Sequence, residues 1–222
     1  MKLKALANAL AEALYPPSCP FCGQTLEQTV SCCNRCRSLI TLQPTRLEIP
    51  LAQNKLLSCS AFYLYEGAVK EAIHRMKFYD CKMIGTQLGN LLAELPEVQT
   101  LLSTVDCITP VPISKKRRLE RGYNQSQVLA EALSDRSGCP CLLLLEKHKH
   151  TVPQSGLERQ DRLQNVQGAY RPAKNSSVAG KRILLIDDVV TTGATMASCA
   201  DALYAGGAEL VVGMAFSYSV LS

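Results

Sequence analysis

The 222-residue chain contains no tryptophan, and aromatic residues make up only 5% of it. Single-stranded nucleic acids are gripped largely by stacking bases on aromatic rings, so the composition argues against a dedicated stacking platform. No apolar run reaches the length of a membrane span; the stretch from Leu210 to Ser222 is too short and ends in serine. Internal repeats and low-complexity tracts are lacking too. With 47% hydrophobic and 19% charged residues, the composition fits a packed globular protein and excludes a disordered one. No clean export signal is found. Lys2 and Lys4 precede an apolar stretch, but Asn8 and Glu12 interrupt it and Pro16-Pro17 leads straight into cysteine. Leu3, Leu6, Leu10 and Leu14 fall at helical spacing, which predicts a short amphipathic docking helix and a cytoplasmic protein. An odd cysteine total of 11 without an export signal argues against a disulfide framework. The formal charge of +5 is mild, compatible with phosphorylated ligands but no demonstration of nucleic-acid binding.

What the chain does contain is concentrated in one string. Ile183 to Ile186 reads as a strand buried on both faces, as in a parallel sheet. Two adjacent carboxylates, Asp187 and Asp188, follow at its carboxyl end, where open α/β sheets place their ligands. After Val189 and Val190, the run Thr191-Thr192-Gly193-Ala194-Thr195 offers hydroxyls and free backbone N–H groups at a helix start, with Gly193 permitting close approach. Orphan donors and the helix dipole then both favour a phosphate. The two aspartates are acceptors, suited to a diol such as the ribose 2′- and 3′-hydroxyls or to holding a hydrated Mg²⁺.

This ordered string resembles the phosphoribosyl-pyrophosphate (PRPP) loop of the type I phosphoribosyltransferases. The resemblance implies that Asp187 and Asp188 hold the ribose hydroxyls, and that Thr191 to Thr195 wrap the 5′-phosphate.

Four of the cysteines form a second constellation. Cys19-Pro20-Phe21-Cys22 and Cys33-Asn34-Arg35-Cys36 are Cys-x-x-Cys knuckles ten residues apart, supplying four thiolates on tight turns. That is the tetrahedral set taken by Zn²⁺ in a closed, structural site. Cys32 is an alternative to Cys33, although only Cys33 gives the matched spacing to Cys36. The remaining cysteines sit in apolar segments as small core residues.

Strand and helix signals alternate along the rest of the chain. Leu39 to Leu57 reads as a connector broken by Pro44 and Pro50. Residues 1–57 are accordingly expected to hold the helix, the zinc module and the connector, and residues 58–222 an α/β domain. Strands are expected at Ser60–Tyr65, Val105–Val111, Leu142–Leu145, Ile183–Ile186 and Leu210–Phe216, the last closing the sheet. Helical stripes are Val69, Ile73 and Met76, then Ile84, Leu88, Leu91 and Leu95. A helix from Thr195 to Tyr204 stops at Gly206-Gly207. The expectation is a parallel, doubly wound sheet.

A basic run, Lys115-Lys116-Arg117-Arg118 and then Arg121, follows the second strand and precedes a helix for which Asn124 and Gln127 form a plausible capping pair. Arginine forks there suit a pyrophosphate, which they satisfy bidentately. Arg121-Gly122-Tyr123-Asn124-Gln125, the cysteine knuckles and the Asp187–Thr195 string together resemble the ComF family, competence protein F and its relatives. The resemblance runs from about Pro17 to Phe216. It extends to Gln154, Leu157, Arg162, Asn165, Val166, Gly168, Ala169 and Tyr170, with Tyr170 where the family usually has Phe. It departs at Tyr79-Asp80, where a glycine-bearing turn is common.

The resemblance implies a type I phosphoribosyltransferase fold with an N-terminal zinc module and a part in uptake of external DNA during natural transformation. Mg²⁺ and PRPP would be bound, with pyrophosphate near Arg117, Arg118 and Arg121. The polar stretch from Lys147 to Tyr170 would be a lid excluding water from an oxocarbenium-like sugar, with Arg159 or Arg162 stabilising the departing pyrophosphate. His148 and His150 read as surface residues. A second reading is a non-catalytic sensor of PRPP or a nucleotide that contacts DNA-uptake proteins or single-stranded DNA. Under either reading, removing the metal is expected to spare the PRPP pocket.

Overall fold

The computed structural model describes residues 18–27, 30–78, 81–148 and 168–219. The expected N-terminal helix, the Tyr79-Asp80 turn, and most of the expected lid, including His150, Arg159 and Arg162, lie outside the described residues.

The first elements are a short helix α1 (Asn34–Leu39), the strand β1 (Leu42–Pro50) and, after a 3-10 turn, β2 (Leu56–Leu64). Three helices follow, α2 (Gly67–Phe78), α3 (Lys82–Ala93) and α4 (Pro96–Leu102), then β3 (Cys107–Pro110). Next come α5 (Lys115–Arg121), α6 (Gln125–Ser137) and the small strands β4 (Leu145–Lys147) and β5 (Tyr170–Pro172). The chain closes with β6 (Arg182–Val190), α7 (Ala194–Ala205) and β7 (Leu210–Tyr218). The main sheet has the order β1-β2-β7-β6-β3. Its last four strands are parallel, and β1 adds antiparallel to β2.

Side-chain alternation along β6 explains why this sheet is covered twice. Leu184 and Ile186 enter the core beneath α2, α3, α4 and α6, whereas Ile183 and Leu185 enter the core beneath α7 and the β4–β5 pair. All four are fully buried. A strand apolar at every position is stable only with both faces packed. The α/β, doubly wound arrangement expected from the sequence is therefore present.

Four local readings change. The supposed connector contributes β1, because an edge strand tolerates proline: Pro50 ends the pairing and Pro44 falls in a register shift between Leu42 and Thr45. Leu142–Leu145 is no strand of the main sheet; Cys141 bridges Ile108 beside β3, and Leu145 begins β4 of the separate pair. The last strand does not close the sheet but runs through its middle, between β2 and β6. Asn124 does precede α6, yet its side chain makes no capping bond and donates instead to the Val111 carbonyl at 2.9 Å.

The knuckles pack on the α/β core: Cys19, Phe21, Cys33 and Cys36 share one apolar cluster with Val69, Ile73 and Met76 of α2. No described helix is long and apolar enough to cross a membrane.

Candidate phosphate and diol site at the sheet edge

A cleft of about 250 Å³ opens at the carboxyl ends of β6 and β3. Its floor is the end of β6. Asp187 Oδ1 accepts from the Ser126 hydroxyl at 2.7 Å and from the Asp188 backbone N–H at 2.9 Å. Asp188 Oδ1 accepts from the Val189 N–H at 2.8 Å, and its Oδ2 lies 2.7 Å from the Lys77 ammonium. This last contact is an ion pair whose alignment falls short of a hydrogen bond, so Asp188 Oδ2 keeps acceptor capacity at the cleft.

Beyond β6 the chain turns through Thr191 and Thr192, and Gly193 caps α7 in the left-handed region, with φ +77°. The Ala194 N–H is bonded to the Thr192 hydroxyl at 3.3 Å. For the backbone N–H groups of Thr191, Thr192 and Gly193, no protein acceptor is found among the described residues. Three donors without a protein acceptor and the positive end of a 12-residue helix thus line the same cleft. The turn is propped from behind by β1. A Cβ on Gly193 would stand 2.9 Å from Ile49 Cδ1 and Cγ2, which makes glycine obligatory there.

Cations ring the opposite wall. Arg117 and Arg121, four residues apart on α5, line the cleft. Arg118, rotated 100° from Arg117 along the helix, is exposed to solvent and does not line the cleft. Arg121 also donates to Gln125 Oε1 at 3.2 Å. Lys77 and Lys147 complete the ring. Burial and the neighbouring Arg117 charge hold both Arg121 and Lys147 below their ordinary values. Cations crowded together in this way gain from an anion placed between them.

Of the residues singled out in the sequence, the structure brings Asp187 to Thr195, Arg117 and Arg121 into one cleft and leaves Arg118 out of it. The sequence alone assigns no role to Lys77, Ser126, Gln125 or Lys147. Ser126 had a legible signal, being at the start of the helix after β3 and so at the same sheet edge. Lys77, in the Lys77-Phe78 pair that matches the family's early region, and Lys147, at the start of the expected lid, are brought to the cleft by long-range packing. His148 is exposed.

Although part of Asp187 faces the cleft, protein atoms surround its carboxyl. Burial, with the Asp188 charge beside it, pushes its pKa from 3.8 up to about 7. The folded protein therefore holds a proton that the unfolded chain has released between these two values, and stability falls as pH rises through that window. Both hydrogen bonds go to Oδ1, so an asparagine oxygen can accept them unchanged. We expect Asp187→Asn to be more stable than the parent by about 2–4 kcal/mol at pH 8, given about 1.4 kcal/mol per unit. The gain should shrink towards pH 4. Urea titrations across that range check it, and parallel pH curves for the two proteins would mean that Asp187 ionises normally.

The second cluster lies in the knuckles. The sulfurs of Cys19, Cys22, Cys33 and Cys36 all lie within 4.8 Å of one another, a set that could hold a metal ion such as zinc. Cys22 and Cys33 are 3.7 Å apart, against about 3.8 Å for the edge of a tetrahedron with Zn–S of about 2.3 Å. The backbone N–H of Cys36 donates to the Cys33 sulfur at 3.4 Å, which orients that sulfur inward. Cys32, the alternative ligand, is fully buried; its sulfur lies 4.0 Å from that of Cys19 and 3.4 Å from the Cys33 carbonyl.

A model of the phosphoribosyl transferase domain matches residues 123–222. The chain is 30% identical over 202 residues to the DNA utilization protein YhgH of Salmonella typhimurium, covering 87% of this chain and 86% of that one. It is 33% identical over 179 residues to the competence protein ComFC of Bacillus subtilis, covering 80% and 68% respectively. With competence protein F of Haemophilus influenzae it shares 30% identity over 185 residues, 81% of this chain and 75% of the relative. Identity on this scale, over four-fifths of the chain or more, places the chain in the ComF family.

Proposed function

We propose that the cleft binds PRPP and that the protein transfers its phosphoribosyl group to a nucleophile within the DNA-uptake pathway of natural competence. One observation carries this reading. A turn with three unsatisfied amides stands beside two carboxylates and faces four cations, Lys77, Arg117, Arg121 and Lys147, in one cleft. A sugar bearing a monophosphate at one end, a diol in the middle and a pyrophosphate at the other matches that sequence of groups. Thr191 to Thr195 take the 5′-phosphate, Asp187 and Asp188 accept from the ribose hydroxyls, and Arg117 and Arg121 hold the pyrophosphate.

In the transfer step the bond from C1 of the ribose to the pyrophosphate oxygen breaks, and a bond from C1 to the nucleophile forms. The electron pair leaves with pyrophosphate, whose growing charge meets the arginines. Mg²⁺, when bound, neutralises pyrophosphate charge; the free acceptor capacity of Asp188 Oδ2 suits a hard cation that takes few protein ligands. Arg162 is retained as a candidate for stabilising the leaving group. In the knuckles, Zn²⁺ on Cys19, Cys22, Cys33 and Cys36 is structural.

The second reading, a sensor that contacts DNA or an uptake protein without turnover, has support from α5. Lys115, Lys116 and Arg118 are exposed on its outer side, beside an 86% exposed Leu119. Thermal shift tests what the two readings share. PRPP with Mg²⁺ at a hundred times its Kd should contribute about 2.7 kcal/mol and raise Tm by about 5–10 °C. No shift removes both readings. Pyrophosphate release with a panel of nitrogen nucleophiles separates them.

A further inference from the structure

The last turn of α2 joins the two clusters through three consecutive residues. The Arg75 guanidinium donates to the carbonyls of Pro20 and Phe21, the two residues between Cys19 and Cys22; the bond to Phe21 is 3.1 Å. Met76 is fully buried, and its carbonyl accepts from the Tyr123 hydroxyl, two residues beyond Arg121. Lys77 then reaches Asp188 at 2.7 Å. Two residues along a helix turn the side chain by 200°, so Arg75 and Lys77 necessarily leave on opposite sides. One side meets the knuckle and the other the cleft.

We propose that Arg75 is a positioning residue through which the metal-loaded knuckle sets Lys77 against Asp188, so that the cleft's hold on its ligand depends on the metal. The proposal deepens the PRPP reading and rests on it for the ligand. The physical basis is local. Four thiolates drawn onto one ion fix the turn that presents the Pro20 and Phe21 carbonyls side by side, so that a single guanidinium nitrogen, Nη2 of Arg75, can donate to both; a loosened turn does not keep that spacing. Without the metal, Arg75 retains its charge but loses both acceptors. The end of α2 then keeps the Tyr123 hydrogen bond and the burial of Met76 beside Gly85 of α3, but loses its tie to the turn between the first two cysteines. Lys77 shifts with it, and Asp188 loses the neighbour that sets its orientation.

The test compares the parent, Arg75→Gln and Arg75→Lys, each zinc-loaded and after chelation. Metal content is verified with a chromogenic chelator, and amide hydrogen exchange is followed alongside PRPP affinity. In the parent, chelation should quicken exchange in residues 73–77 and 187–193 and weaken PRPP about tenfold. Arg75→Gln should keep its metal, yet show the quickened exchange and weaker PRPP binding while loaded, and chelation should add little at 187–193. Arg75→Lys, which keeps the charge and one donating nitrogen on a shorter side chain, should recover part of both.

The proposal is overturned if loaded Arg75→Gln exchanges like the parent, or if chelating the parent affects only residues 19–36. Should chelation unfold the whole chain, seen as full exchange at 183–186, loaded Arg75→Gln decides alone. A parent that ignores PRPP refutes the cleft assignment, while the exchange data still decide the coupling.

Discussion

The double replacement Asp187→Ala with Asp188→Ala is expected to weaken PRPP binding by at least a hundredfold. The sign of this result is more informative than its size. PRPP carries several negative charges, so two carboxylates near it are repulsive unless they touch its hydroxyls or its metal. If these aspartates merely stabilised the end of β6, removing them would leave Lys77, Arg117, Arg121 and Lys147 unopposed and would tighten binding. If they accept from the ribose, each charge-assisted hydrogen bond is worth about 1.5–3 kcal/mol, and losing two exceeds the relief of repulsion. Isothermal titration of parent and variant settles the direction. The fold is monitored by urea denaturation, since the replacement also strips acceptors from Ser126 and from the Val189 amide. Tighter binding by the variant would refute the diol assignment.

The second large effect concerns Gly193. With φ at +77° and Ile49 atoms 2.9–3.0 Å from where a Cβ would stand, alanine there meets two separate costs. The left-handed conformation costs about 1–2 kcal/mol, and overpacking against Ile49 a further 1–3 kcal/mol or so. Gly193→Ala should therefore lose about 2–5 kcal/mol of stability by those same costs. It should also lose more than tenfold in PRPP affinity, because relief requires moving the free amides of residues 191–193 that are proposed to hold the phosphate. Combining it with Ile49→Ala separates the two costs. The pair should destabilise by less than the sum of the single changes, since the smaller side chain makes room, while the conformational cost persists. Strict additivity would show that Ile49 does not press on the turn.

These two residues also mark what can be read from a sequence and what cannot. Everything needed to suspect the phosphate turn lies within thirteen residues, from Ile183 to Thr195, because strand, acceptors and donors are contiguous. The same holds for the cysteine knuckles, each a four-residue turn. Ile49 belongs to the site as firmly as Thr192, but its role depends on β1 pairing with β2, and that pairing was hidden by Pro44 and Pro50. Prolines argue against a central strand, yet at a sheet margin their missing N–H faces nothing. The arginines show a finer limit. Composition offered Arg117, Arg118 and Arg121 alike, and only the phase of α5 shows which two turn inward. That Lys77 and Lys147 reach the cleft could not be read for the same physical reason as Ile49: each comes from an element whose place is decided by long-range packing.

The marginal strand has one more implication. Leu57, Cys59 and Ala61 of β2 are shielded, and the backbone of β2 is satisfied on that side, because β1 runs along it. A shortened protein beginning at the start of β2 would keep every acidic and hydroxyl group of the cleft. It would nevertheless offer an open row of amides and carbonyls to any passing chain, an invitation to self-association. It would also let the turn at Gly193 sag where Ile49 had stood. β1 is thus a retaining wall for the sheet and for the turn at Gly193, and no detachable ornament.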